Sequence, residues 1–424
     1  MPLNEAKIAL VAKIFAAAPD AAVGRLETLL GAAQAADPTL EPVYALAAEE
    51  AGARRTLAAV FAPLLPMVGP VAPPKRPLLV MRQLRDGWNA LAAGDPGLAE
   101  CAAFAARMQR PGDEPPHEFD LACSRAAEFV DDGEFARLLR LAPVLRALQP
   151  RLAGWVRAVT GETVAAIRLA FKDAIETDED AGPLFWEAVM AMLDEPWRVL
   201  RLISAANDRP SDRYLASSEL ASIGERILSD IDGRLAGLKR FDPTGGVGAG
   251  AAAAASLLVA VQEMDEFEQW LAMKKDGPWG ERIAASKSAL AAIMEARLRE
   301  TEPAVAAALP TQGRGMVKSV RPAPKLADPP QPVLIARADA FLTLLENGRG
   351  AANPGGFASA RAKTVEAIEM RLDQYCEDLL DLLHRKEVED LARVRAYLEV
   401  AAEFYQRVKG PEAAQIVRRR AAAA

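Results

Sequence analysis

The sequence predicts an all-α protein, a multi-helix array or set of bundles joined by a proline-rich linker to a C-terminal helical-hairpin module. Three observations predict it. Alanine, the strongest helix former because it loses no side-chain entropy, makes up roughly a fifth of the chain. No run of alternating apolar and polar residues bounded by turns suggests a strand. Apolar residues instead recur every three or four positions between proline and glycine breaks. The net charge of −7 and pI of about 5.3 argue against a broad nucleic-acid surface. Arginine outnumbers lysine 38 to 13, a bias that fits a GC-rich bacterial genome.

The N-terminal stretch 1–18 contains Glu5, Lys7 and Lys13, so it lacks the uncharged apolar core of a targeting segment. It reads as a helix capped at Asn4, with Ile8, Val11 and Phe15 on one face. Asp20 is the expected cap of a second helix, striped by Val23, Leu26, Leu29 and Leu30, and Asp37-Pro38 opens a third. Leu57–Pro74 has no charge, but its five prolines forbid a continuous membrane helix, so a helix end plus buried linker is expected. Gly69–Pro77 is the first linker and 110–116 the second break, with helices over Leu78–Ala93 and 97–108 between them.

Five or six helices follow from Phe119 to Arg240. The clearest, Arg213–Arg240, carries Leu220, Ile223, Ile227, Ile231, Leu235 and Leu238 on one face. Phe241–Gly250 reads as a flexible loop before a helix over Ala251–Lys275. The turn Gly277–Gly280 then reverses the chain into Glu281–Leu309, an expected antiparallel hairpin. Residues 310–332 hold six prolines and two glycines, with four basic residues against Asp328, and are expected to form an extended spacer. The expected segments are therefore 1–76, a central domain 77–309, the linker 310–332, and a C-terminal module 333–424.

That module should contain a helix over Val333–Asn347 and a glycine-rich loop. A two-armed hairpin follows, closed by Gly410-Pro411, and then a last short helix. The first arm is striped by Val365, Ile368, Leu372, Tyr375, Leu379 and Leu382. The second is striped by Leu391, Val394, Leu398, Ala401, Tyr405 and Val408. Spacings of three and four let such arms pack antiparallel.

Candidate chemistry is sparse. Gly246, Gly248 and Ala251 fit a G-x-G-x-x-A pattern, but a helix rather than a strand precedes them and no Gly-Lys-Ser/Thr follows. The acidic run Glu176–Asp180 with Glu187 resembles a calcium loop in spacing, yet lacks the first Asp and sixth Gly. The Glu114–His117 pair is interrupted by prolines, and His384 sits where a helix C-terminus favours a cation. Cys101 and Cys123 look like small core residues, and acids flank Cys376. Arg418, Arg419 and Arg420 suit a helix C-terminus, and the six tryptophans suit packing. No catalytic, cofactor-binding or metal-ligating residue is assigned, and no cofactor is expected.

The expected function is that of a cytoplasmic, bacterial, non-catalytic scaffold or adaptor. Its partner would be a protein or a second copy of the chain, with no nucleic acid. Contact is expected at Val365, Ile368, Leu372, Tyr375, Leu379, Leu398 and Tyr405. A helical-bundle enzyme or small-ligand receptor is the alternative, and a peripheral membrane protein using Leu57–Pro74 is the third reading.

Overall fold

The computed structural model describes residues 5–94, 97–107, 116–207, 210–312, 323–385 and 390–423. It is 82 % helical, so the all-α class is observed. The expected cap at Asn4 and break at 110–115 lie outside the described residues. The chain divides into two compact units, Met1–Arg209 and Pro210–Ala424.

The first unit contains α1 (Glu5–Ala17), α2 (Asp20–Ala36), α3 (Glu41–Val60), α4 (Met81–Gly94), α5 (Leu98–Arg107), α6 (His117–Ala126), α7 (Gly133–Arg157), α8 (Gly161–Thr177), α9 (Gly182–Met192) and α10 (Val199–Ala206). Pro19, not Asp20, precedes the second helix as its cap, and Asp20 sits in the first turn. There its carboxylate accepts from Arg54 and Arg85. Leu57, Val60, Phe61, Leu64 and Met67 are buried. The uncharged stretch is therefore core of this unit, where packing rather than lipid satisfies it. Arg146, between the two prolines of α7, reaches the carbonyls of Ala59 and Val60 and the Asp120 carboxylate. It satisfies the end of α3, which the following proline-rich turn cannot.

The second unit contains α11 (Asp212–Ala216), α12 (Ala221–Lys239), α13 (Gly246–Trp270), α14 (Pro278–Ala308), strands β1 (Thr311–Gln312) and β2 (Ala323–Pro324), α15 (Pro332–Asn347), α16 (Ala358–Arg385), α17 (Leu391–Val408) and α18 (Pro411–Ala423). The expected continuous helix 213–240 is broken. Ser217 and Ser218 return their hydroxyls to the carbonyls of Arg213, Tyr214 and Leu215 and end α11 early.

Of the expected glycine loop at 241–250, residues 241–245 connect through a short 3-10 turn, and 246–250 instead begin α13, which packs on α15. Gly246 has φ +61°, and a Cβ on Gly250 would lie 2.3 Å from the Ala340 carbonyl oxygen. Gly246 thus supplies a left-handed backbone turn into the helix, and Gly250 a close helix contact that a side chain would block. The stretch Pro243–Trp270 is long and apolar enough to cross a membrane by length and composition. Its Leu257, Val261, Met264 and Phe267 are buried in the unit. The expected α13–α14 hairpin is also replaced, because α13 packs chiefly on α12 and α15 while α14 packs on α12, α15 and α16. Trp279 of the Gly277–Gly280 turn is buried, donates from Nε1 to Glu225 at 2.8 Å, and fills the space left by Gly224.

The expected boundary at 310–332 does not separate modules. β1 pairs antiparallel with β2, and Lys325 N–H donates to the Pro310 carbonyl. Arg393 donates to the carbonyls of Leu326 and Ala327, and the Tyr397 hydroxyl to that of Asp328. Backbone groups that proline leaves unpaired are thus taken up by α17 side chains. The segments called central and C-terminal share one core from residue 210 onward, and the division falls at 209/210.

Candidate functional site

The expected contact stripe runs along α16 and α17 into the core of the second unit. Ile368, Leu372, Tyr375, Leu379, Leu398 and Tyr405 are all buried, at most 5 % exposed. Val365 is half-buried. These side chains face other helices of their own chain and are not a surface for a partner. A stripe at helical spacing marks which face is buried and not what buries it.

The adjacent face of α16 is different. Ala367, Met370, Arg371, Gln374, Tyr375 and Asp378 recur at spacings of one, three and four and line a groove of about 360 Å3, closed by Glu302 of α14 and Thr311 of β1. Met370 is 62 % exposed, an apolar side chain left in water on a helix whose other face is core. The rim is acidic. Glu302 pairs with Arg371 at 3.4 Å, and Asp378 accepts from Gln374 at 2.8 Å. Tyr375 joins the stripe to the groove. Its ring meets Tyr397 edge to face at 6.3 Å. Its hydroxyl has no hydrogen-bond partner among the described residues, and burial holds it far above the usual phenol range. The Tyr405 hydroxyl, by contrast, donates to Asp373, which also accepts from Lys409.

The remaining candidates from sequence have structural partners. Asp178 and Asp180 pair with Arg137, and Glu187 is buried against Arg76 at 2.6 Å, so these acids are spread over the end of α8, a 3-10 turn and α9. Among the described residues no group of three or more His, Cys, Asp or Glu is placed to hold a metal ion. His384 Nδ1 lies 2.8 Å from the Leu380 carbonyl oxygen, and His117 begins α6. All three cysteines are buried thiols outside any disulfide. Burial pushes the Cys123 and Cys376 thiols up to about 12, which suppresses the thiolate. Arg418 pairs with Glu399 at 2.6 Å, and Arg419 donates to the Gln415 carbonyl. Trp186, Trp197 and Trp279 are buried, and Trp88, Trp155 and Trp270 are half-buried.

Two polar clusters went unread in the sequence. Arg54 gathers Asp20 and Glu50 in the first unit, and Arg234 gathers Asp230 and Glu263 in the second. The i,i+4 spacings Glu50–Arg54 and Asp230–Arg234 were legible, but their third members come from other helices.

Fold and groove together define a two-unit all-α protein with a half-apolar cleft on one long helix. Compared with known proteins, the chain matches no family model, no curated protein and no solved structure.

Proposed function

We propose that the chain is a cytoplasmic, bacterial protein-interaction protein, an adaptor that docks another protein in the α14–α16 groove. The observation that supports this is exposed Met370 beside a cleft of about 360 Å3 with an acidic rim. Methionine is unbranched and polarizable, so it adapts to an incoming apolar side chain. With Glu302 already paired to Arg371, it is Asp378 that favours a segment carrying Lys or Arg next to its apolar anchor. The occupant is thus an amphipathic partner segment, with helix-in-groove geometry.

The test compares full-length protein with its Met370→Glu variant in affinity purification from native lysate. Substitution at this exposed site leaves the fold intact, checked by circular dichroism. The reading expects a partner with a basic, apolar segment whose synthetic peptide binds wild type and loses at least roughly tenfold affinity for the variant. Identical partners and peptide affinities for both proteins would refute it. So would a dimer of the chain that dissociates with Met370→Glu, since the occupant would then be a second copy.

A further inference from the structure

A second cleft, of about 320 Å3, lies in the first unit between the ends of α1 and α2 and the facing sides of α3 and α4. Its floor is apolar. Leu57 is buried there, and Trp88 is held edge to face against Phe61 at 6.4 Å. Its polar groups converge from three helices, Asp20 from α2, Glu50 from α3, and Arg85 and Asn89 from α4. A concave apolar floor with few convergent polar groups is the common form of a small-ligand site, and this volume sits at the small end of that range.

The hydrogen-bond inventory decides which groups remain for a ligand. Arg54 is fully spent. Its five N–H donors go to Glu50, Asp20 and the carbonyls of Phe15, Ala16 and Ala18. It ties down the end of α1 and fixes both carboxylates. Each carboxylate uses only one oxygen in these bonds, Oδ1 of Asp20 and Oε1 of Glu50. Arg85 commits one Nη, to Asp20 at 2.5 Å, and the Asn89 amide has no hydrogen bond among the described residues. The Arg85–Asp20 pair is 35 % and 51 % exposed, so it holds these groups only weakly and costs little to rearrange.

Unused acceptors therefore stand on the α2–α3 side, and unused donors on the α4 side, with an apolar floor between. We propose that this cleft binds a small zwitterion with an apolar side chain, a free amino acid of the phenylalanine, leucine or tryptophan kind. Its ammonium lies against Asp20 and Glu50, its carboxylate takes the free guanidinium edge of Arg85 and the Asn89 amide, and its side chain rests on Leu57 and Trp88. Charge-assisted bonds at both ends make the zwitterion better than either half.

Titration calorimetry on the full chain tests this with L-phenylalanine, L-leucine and L-tryptophan. Phenethylamine and 3-phenylpropionate serve as analogues that each lack one charge. Saturable binding is expected for at least one amino acid, and for phenylalanine removal of either charge weakens it roughly tenfold. Arg85→Gln, at a half-buried site, abolishes the preference for phenylalanine over phenethylamine. Glu50→Gln abolishes the preference over 3-phenylpropionate. No saturation by any of the three amino acids up to about 10 mM overturns the proposal. Binding that ignores the missing charge, or that Arg85→Gln leaves unchanged, overturns it equally.

Discussion

Replacing Glu263 with glutamine isolates the cost of a buried carboxyl in the second unit. The Glu263 side chain is fully buried on α13, and neither oxygen receives a hydrogen bond among the described residues. Burial first, and then neighbouring Asp230, to which the protonated acid can donate, push its acid from an ordinary 4.5 up to about 9. Arg234, whose Nε lies 3.4 Å away, opposes the shift but is bound more closely to Asp230 at 2.6 Å. The native protein thus holds a proton that the unfolded chain releases. Between the unfolded value and about 9, rising pH favours the unfolded chain, and stability present at acid pH is lost. Each unit of separation is worth about 1.4 kcal/mol, so the ceiling between roughly pH 5 and pH 8 is about 4 kcal/mol. Structural relaxation and water entry bring buried-charge costs below such ceilings, so about 2–4 kcal/mol is expected.

Glutamine keeps the shape and the donor but cannot ionise. The assay is hydrogen exchange of the α12 and α13 amides across that pH range, with urea unfolding alongside, for wild type and Glu263→Gln. The exchange data assign the change to the second unit. Near pH 5 the two proteins match; by pH 8 the variant is the more stable by the amount above. A difference that does not vary with pH would refute the reasoning. A variant that is less stable at pH 8 would show an ionised Glu263 held by Arg234.

Other predictions concern packing and reactivity. Gly250→Val drives a side chain into the Ala340 carbonyl, 2.3 Å from where its Cβ must sit, and lowers stability by about 1–3 kcal/mol in thermal unfolding. Leu372→Ala empties a fully buried site on α16 and costs about 2–5 kcal/mol, whereas Met370→Ala, two residues away but exposed, costs under about 0.5 kcal/mol. In a thiol-labelling assay at neutral pH, Cys101, Cys123 and Cys376 react at the rate of unfolding, because all three are buried and the last two are pushed up to about 12. Fast labelling of any of them in the native state would contradict that burial.

Periodicity made the helices legible because a buried face must repeat every three or four residues, and Ile223, Ile227 and Ile231 or Ile368, Leu372 and Leu379 do so. Gly250 was not legible as a packing residue because absence of a side chain has two meanings, freedom in solvent or intimacy between helices. Only α15, about ninety residues on, distinguishes them. Proline was misread at 310–332 for a similar reason. It removes donors, yet the carbonyls it leaves were taken by Arg393 and Tyr397. The groove was half legible. Tyr375 belongs to the stripe and to the cleft, but Met370 falls outside the stripe and gave no periodic signal. The converging groups of the first-unit cleft show i,i+4 spacing within α3 and α4, but nothing local says that three helices bring them together.

Site-specific photocrosslinking most directly tests the account of α16 as a helix with one core face and one docking face. A photoreactive side chain is placed at position 370 in the groove or, as control, at the exposed Lys363 on the same helix. In native lysate, position 370 should give one discrete adduct with another protein, which a basic apolar peptide competes away, and position 363 should give none. Equal adducts at both positions, or none at 370, would contradict the account.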